Sequence, residues 1–280
     1  MPRWLATFVW CLWLSTTASA QPAAHDLDAL LESHNPELRA QGLGFLNAED
    51  SERISYLKAA LTDAAPVVRL SAAKVLSKSP DPVQRREALE VLGDLVKGPE
   101  AEVRSESVVF LGGLGAEADV AVQRILVALH KGLLGSEGVD TLAKIGTVRA
   151  VSGIANIVSY SDEALKKSAV VALSQLGVKA QSEVEVLIRA LEDPVIAELV
   201  LDALPKIGGA RAFSGIMLPL RGTDKKLKLK ALAVLRSMGS QAEAALPLLV
   251  RVSEDADPEI RVAAEGVRAT IQKELLLEKR

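Results

Sequence analysis

The residues best suited to chemistry are few and lie far apart in the chain. Histidine occurs only as His25, His34 and His130, followed by Asp26, Asn35 and Lys131. A metal site needs clustered imidazole, thiolate or carboxylate ligands, and three scattered histidines do not supply one. Nucleophilic catalysis fares no better. Cys11 is the only cysteine, there is no G-x-S-x-G, and no histidine stands at helical spacing from a serine and a carboxylate. The 36 acidic residues offer many carboxylate pairs for acid–base work, yet nothing singles one out. Gly112-Gly113-Leu114-Gly115 lacks the Lys-Ser/Thr and the preceding strand of a phosphate loop and reads as a helix end. The expectation is a chain that is not an enzyme, with no cofactor, metal or catalytic residue.

Binding chemistry is better represented. Arg221, Lys225, Lys226, Lys228 and Lys230 put five positive charges in ten residues, the densest cluster in the chain. They are the candidate partner-binding residues, suited to an acidic protein. The alternative is ordinary solvated charge on a helix and its approach loop. A second set, Arg39, Arg69, Arg104, Lys166, Lys228 and Arg261, recurs at nearly regular intervals. It reads either as a basic stripe on the concave face of a helical stack or as charges that pair with cap aspartates of the same or the next unit. Gly135 and Ala197 interrupt it, which favours the structural reading over a continuous ligand track.

These residues are positioned by a repeat. Leu114-Gly115, Ile145-Gly146, Leu176-Gly177, Ile207-Gly208 and Met238-Gly239 follow one another at intervals of 31 residues. A period of 20–50 residues signals a solenoid whose units bury their apolar faces against neighbours. The second helix of each unit aligns on an apolar anchor: Leu38, Val68, Val103, Leu134, Leu165, Ile196, Leu227 and Ile260. Four residues on stand Gly42, Ala72, Ser107, Gly138, Ala169, Val200, Ala231 and Ala264, seven of the eight being small. Eight residues on stand leucines 46, 76, 111, 142, 173, 204 and 235; the last unit has Arg268 there, with Val267 beside it. Offsets of 0, 4 and 8 keep one helix face apolar, and the small residue lets a paired helix approach closely.

Start and stop signals agree with this alignment. Asn35, Asp162, Asp193, Asp224 and Asp257 stand three residues before an anchor, where a side-chain oxygen caps free N–H groups. Pro36, Pro66, Pro194 and Pro258 follow at the predicted first helical position. The beat glycines fall just past the helix, where a left-handed cap suits them. Preceding helices are predicted over 120–129, 148–158, 184–191, 212–220 and 244–252, with Pro219 and Pro247 inside two of them as kinks. A longer first helix, Pro82 to Lys97, absorbs the widest anchor spacing.

The segments Asp257-Pro258-Glu259-Ile260-Arg261 with Ala264, and Ala101-Glu102-Val103-Arg104 through Leu114-Gly115, resemble the HEAT repeat in its short bacterial form, first noted in phycobilisome-linked lyases. The resemblance covers about Asp26 to Ile271 in eight units. It implies an all-α α-solenoid of about eight helix pairs and says little of function, because such repeats serve many roles. HEAT-like hydroxylases hold iron through histidine–glutamate pairs, which are absent here. DNA glycosylases of HEAT-like fold need a basic face and stacking aromatics, and this chain is net negative at −3.

The ends complete the reading. Met1-Pro2-Arg3, the apolar run Trp4 to Leu14 and Ala18-Ser19-Ala20 have the layout of a signal peptide over residues 1–20, leaving 21–280 as the repeat array. Cys11 lies inside the apolar run after Trp10, without the small residue a lipoprotein signal needs. Removal of Arg3 leaves 32 basic against 36 acidic residues, with no cysteine and no tryptophan. No later stretch is apolar enough to span a bilayer. The expected protein is an exported, periplasmic or extracellular, non-catalytic scaffold that binds another protein and no nucleic acid. The alternative function is an accessory or catalytic subunit related to the HEAT-like bilin lyases.

Overall fold

The computed structural model describes residues 24–278; the segment 1–20, read from the sequence as a signal peptide, lies outside them. Sixteen α-helices and five 3₁₀ segments, with no strand, make up these residues. They fall into two compact units, the first reaching to Val91 and the second beginning at Leu92.

The first unit contains α1 (Ala24–Leu31), α2 (Pro36–Gly44), α3 (Ile54–Ala60) and α4 (Pro66–Leu76), and the start of α5 (Pro82–Leu95). α2 packs on both α1 and α4. Asn35 caps α2 by accepting from the Glu37 N–H, and Pro36 and Pro66 open their helices as expected. Leu43, Val68, Leu70 and Leu76 form its core with Leu57 of α3.

The second unit continues with α6 (Ala101–Leu114), α7 (Val122–His130), α8 (Ser136–Ile145), α9 (Val148–Tyr160), α10 (Glu163–Leu176), α11 (Val184–Arg189), α12 (Ala197–Ile207), α13 (Gly209–Met217), α14 (Lys225–Met238), α15 (Leu246–Val252) and α16 (Pro258–Glu278). The second helices α6, α8, α10, α12, α14 and α16 pack in succession, each on the next. This is why the 31-residue beat builds a core: every second helix buries one side on its own first helix and another on its neighbours.

The small-residue position is buried in all eight second helices, and so is the leucine four residues further on. In the last helix Val267 takes the leucine's place. The reason for smallness is visible at two glycines. A Cβ on Gly42 would stand 3.0 Å from the Leu30 Cβ, and one on Gly138 would stand 2.9 Å from a Leu129 methyl. The paired helix occupies that space.

Two kinds of pair alternate, a regularity of 62 residues that the 31-residue beat conceals. After Gly115, Gly177 and Gly239 the chain makes seven-residue 3₁₀ segments, Gly115–Ala121, Gly177–Glu183 and Gly239–Ala245, before the first helix begins. After Gly146 and Gly208 the next helix starts almost at once. The second helices of the three pairs with a 3₁₀ lead-in have buried anchors, Leu134, Ile196 and Ile260, whereas Leu165 and Leu227 are half-buried. Leu38 of the first unit is 40 % exposed.

Three local expectations need correction. Only Gly146 ends its helix in the left-handed helical conformation, at φ 59° and ψ 18°. Gly115, Gly177 and Gly239 share φ near 57° with ψ between −126° and −134°, and Gly208 has φ 74° and ψ −175°. That region is open essentially to glycine alone, so the beat is stricter than a helix cap requires. Pro194 does not begin a helix: it lies in a turn, and α12 begins at Ala197 because Asp193 caps the turn through the Val195 N–H. Pro247 opens α15 and Pro219 opens a short 3₁₀ segment, Leu218–Arg221, so neither kinks a helix interior. The proline that does sit inside a helix is Pro205 of α12.

Candidate protein-interaction surface

The recurring basic residues are internal stitches. Arg39 makes a bidentate pair with Asp63, at 3.0 and 2.9 Å, and also donates to the Ser33 carbonyl. Lys166 reaches Asp193 at 2.7 Å and Lys228 reaches Asp255 at 2.6 Å, each 27 residues on. Each of these aspartates also accepts the N–H two residues ahead, from Ala65, Val195 and Asp257 respectively. One carboxylate thus holds a turn and ties it to the preceding second helix. The remaining three work through carbonyls. Arg69 donates to Asp63 O, Arg261 to Asp255 O, and Arg104 to Gly98 O and Leu133 O. The structural reading of the stripe is therefore the one the geometry shows, with three of the six residues bonding backbone oxygen alone rather than an aspartate side chain.

The electrostatics follow. The hydrogen bond from Lys166, helped by the Val195 N–H, holds Asp193 below the usual carboxylate range. Lys228 does the same for Asp255. At Asp63 burial pushes the carboxyl up, but the hydrogen bonds from Arg39 and the Ala65 N–H outweigh it and the net shift is downward.

The candidate lysines all lie at the N-terminal half of α14, whose cap is Asp224 through the Leu227 N–H. Each has an acidic partner on a neighbouring element. Lys225 pairs with Asp257 at 2.7 Å and Glu259 at 2.8 Å, Lys226 with Glu198, Lys228 with Asp255, and Lys230 with Asp202 at 2.7 Å. The hydrogen bonds that Lys225 donates to Asp257 and Glu259 raise its ammonium above the ordinary value. Arg221 is exposed at the end of the preceding 3₁₀ segment. The structure thus brings Lys225, Lys226, Lys228 and Lys230 into an interleaved strip of both signs across α12, α14 and α16. Glu198 and Asp202 escaped the sequence reading. Their signal was a spacing of 28 residues to Lys226 and Lys230, three short of the repeat, which places acid and base across adjacent second helices.

An exposed row lies six residues beyond the anchors of the second unit: Val109, Asp140, Val171, Asp202, Ala233 and Gly266, of which Asp202 is the one already paired with Lys230. All six are exposed, Val109 by 63 % and Val171 by 43 %. Between α8 and α10 this row borders an open groove of about 410 Å³, lined by Asp140, Ala143, Lys144, Gln175 and Leu176. Among the described residues no cluster of three histidine, cysteine, aspartate or glutamate side chains is placed to hold a metal, and no helix is long and apolar enough to cross a membrane. His34 contributes its carbonyl to Arg39, and His130 ends α7.

No protein-family model and no curated protein matches this chain. Solved structures do. A mutant of Kap121p superposes with a TM-score of 0.56 at 12 % identity, over 88 % of this chain and 32 % of that one. The fold is that of the HEAT and armadillo repeats. The chain spans about a third of the Kap121p chain. Other similar structures are an engineered protein, at 20 % identity over 88 % of this chain and 77 % of that one with a TM-score of 0.43, and the CpcE–CpcF complex of phycocyanin lyase from Nostoc, at 19 % identity over 91 % and 97 % with a TM-score of 0.39. At these identities the HEAT-like likeness speaks for the fold alone.

Proposed function

We propose that this HEAT-like chain is an exported, non-catalytic scaffold that binds another protein along the exposed row of its second helices. The row of Val109, Asp140, Val171 and Asp202 carries the reading. Its residues sit one per repeat on successively packed helices, so a partner laid across them meets a regular series of apolar and acidic contacts. The basic residues of the repeat support it indirectly: they are consumed in stitching, and of this row only Asp202 is drawn into it, through Lys230. Arg221 and the α14 lysines border the same helices, and an acidic partner segment could share their charge by exchange of ion pairs.

The test is affinity capture of the mature protein from its native extracytoplasmic fraction, with the native chain and the Val109→Glu/Val171→Glu variant side by side. Both valines are exposed, so the variant keeps the fold. A partner captured by the native chain and lost by the variant is the expected result. Equal capture by both would move the binding surface elsewhere. Incubation with free bilins, scored by bound or transferred chromophore, tests the lyase-related alternative.

A further inference from the structure

The last second helix, α16, departs from the other seven at the side they use for stacking. Five residues beyond the anchor stand Leu43, Ala73, Val108, Val139, Val170, Leu201 and Leu232, all buried. This side meets the next pair: Thr141 of α8 donates to the Val108 carbonyl of α6 at 3.2 Å. In α16 the same position is Glu265, exposed, and the leucine position is Arg268. A further pair of the ordinary kind would bury both charges, at high cost. The side nevertheless keeps exposed apolar groups. Val262 is 70 % and Leu276 67 % exposed, and a Cβ on Gly266 would meet nothing within 4 Å.

Val262, Gly266, Ala269, Lys273 and Leu276 are spaced 4, 3, 4 and 3, which makes one straight seam along the helix. The seam is inverted about Ala269. Val262 and Leu276 lie seven residues to either side, and Glu265 and Lys273 four to either side. Glu265 and Lys273 are both exposed, and neither forms an ion pair among the described residues, in contrast to the four paired lysines of α14.

We propose that this face is the two-fold interface of a homodimer, in which α16 of one copy lies antiparallel on α16 of another with Ala269 at the axis. A two-fold contact is self-complementary, residue i meeting j and j meeting i. Here the antiparallel register sets Val262 on Leu276 twice and Glu265 opposite Lys273 twice, while Gly266 and Ala269 let the backbones approach. A parallel register would oppose Glu265 to Glu265. The occupant is therefore a second copy of this chain, chosen by its charge pattern.

Sedimentation equilibrium of the full chain over a range of concentrations tests it. The expected species is a dimer that dissociates on dilution. Glu265→Lys and Lys273→Glu each turn two attractive pairs into two repulsive ones and raise the dissociation constant roughly tenfold. The double variant restores the opposition with signs exchanged and returns the constant near its native value, a rescue that a merely structural role would not give. In a Cys11→Ser background, Ala269→Cys forms an intermolecular disulfide under mild oxidation, because only at the axis does a residue face its own copy, within the roughly 7 Å Cα separation a disulfide spans. Val262→Cys alone does not, and Val262→Cys/Leu276→Cys does. A chain that stays monomeric at every concentration, or a dimer indifferent to both reversals, overturns the proposal and leaves the face to a different partner.

Discussion

At the scale of single residues, stability is concentrated where the chain leaves no room. Ala169 is fully buried at the small position of α10, so Ala169→Leu inserts three carbons into a helix contact and should cost about 1–3 kcal/mol. Lys166 on the same helix is about one-quarter exposed in its pair with Asp193, and Lys166→Ala should cost no more than about 1 kcal/mol. Thermal melts of the two variants compare them directly; equal losses would mean that the faces of α10 are wrongly understood. The glycines allow a finer test. Gly177 stands at φ 56° and ψ −126°, Gly146 at φ 59° and ψ 18°. Asparagine tolerates the second conformation and not the first. Gly177→Asn should therefore lower the melting temperature by an amount matching about 1–3 kcal/mol of strain, and Gly146→Asn by clearly less. The reverse order would show that the space around Gly146, where the Ala143 carbonyl would lie 3.3 Å from a Cβ, outweighs the backbone conformation.

At the scale of elements, the unit of cohesion is a turn held by one aspartate and tied to the previous second helix by one cation. Asp63, Asp193 and Asp255 each play this part, and each is held below its ordinary pKa. A carboxylate depressed in the folded state contributes its stability in full above the unfolded value of about 3.9, and loses it as the pH falls through the folded value. Melting temperature should thus be flat from neutrality down to about pH 5 and fall below about pH 4. Asp63→Asn/Asp193→Asn/Asp255→Asn should flatten that acid limb; a limb of unchanged slope would assign acid loss to other carboxylates. The α14 lysines belong to the same scale. Changing Lys225, Lys226, Lys228 and Lys230 to glutamine leaves the helix and its buried Ala231, Leu232 and Leu235 in place, yet removes ion pairs to α12 and to the start of α16. Circular dichroism should show native helicity with a modestly lower melting temperature, and a partner that uses this strip should associate more slowly, most visibly at low salt.

At the scale of the whole molecule, the repeat explains both what is firm and what is open. Every described element is a helix or a 3₁₀ segment, so the far-ultraviolet spectrum should be that of an all-α protein, and substantial strand signal would contradict it. The proposal of export makes a separate prediction. N-terminal sequencing of protein recovered from outside the cytoplasm should begin at Gln21, and recovery of the intact chain from the cytoplasm would refute it. The proposed binding face of the second helices is exposed because their inward sides carry the core.

Spacing along the chain was enough for the helical class, the small-residue and leucine positions and the place of each beat glycine, but not for every anchor: Leu38 is exposed, and Leu134 and Ile196 precede their helices. The legible positions depend on local periodicity and on which side chains avoid water, and both are written in spacing along the chain. It also showed that the stripe of basic residues was periodic. Where those charges go is set by packing, because Lys228 and Asp255, or Lys230 and Asp202, are neighbours across helices and not along one. The same holds for the 62-residue alternation, which rests on the ψ angles of glycines that look alike in sequence. It holds equally for the free side of α16, where the fold leaves Glu265 and Lys273 exposed and without an ion pair among the described residues. Pairing and exposure are properties of packed helices in three dimensions, and no residue's identity fixes them alone.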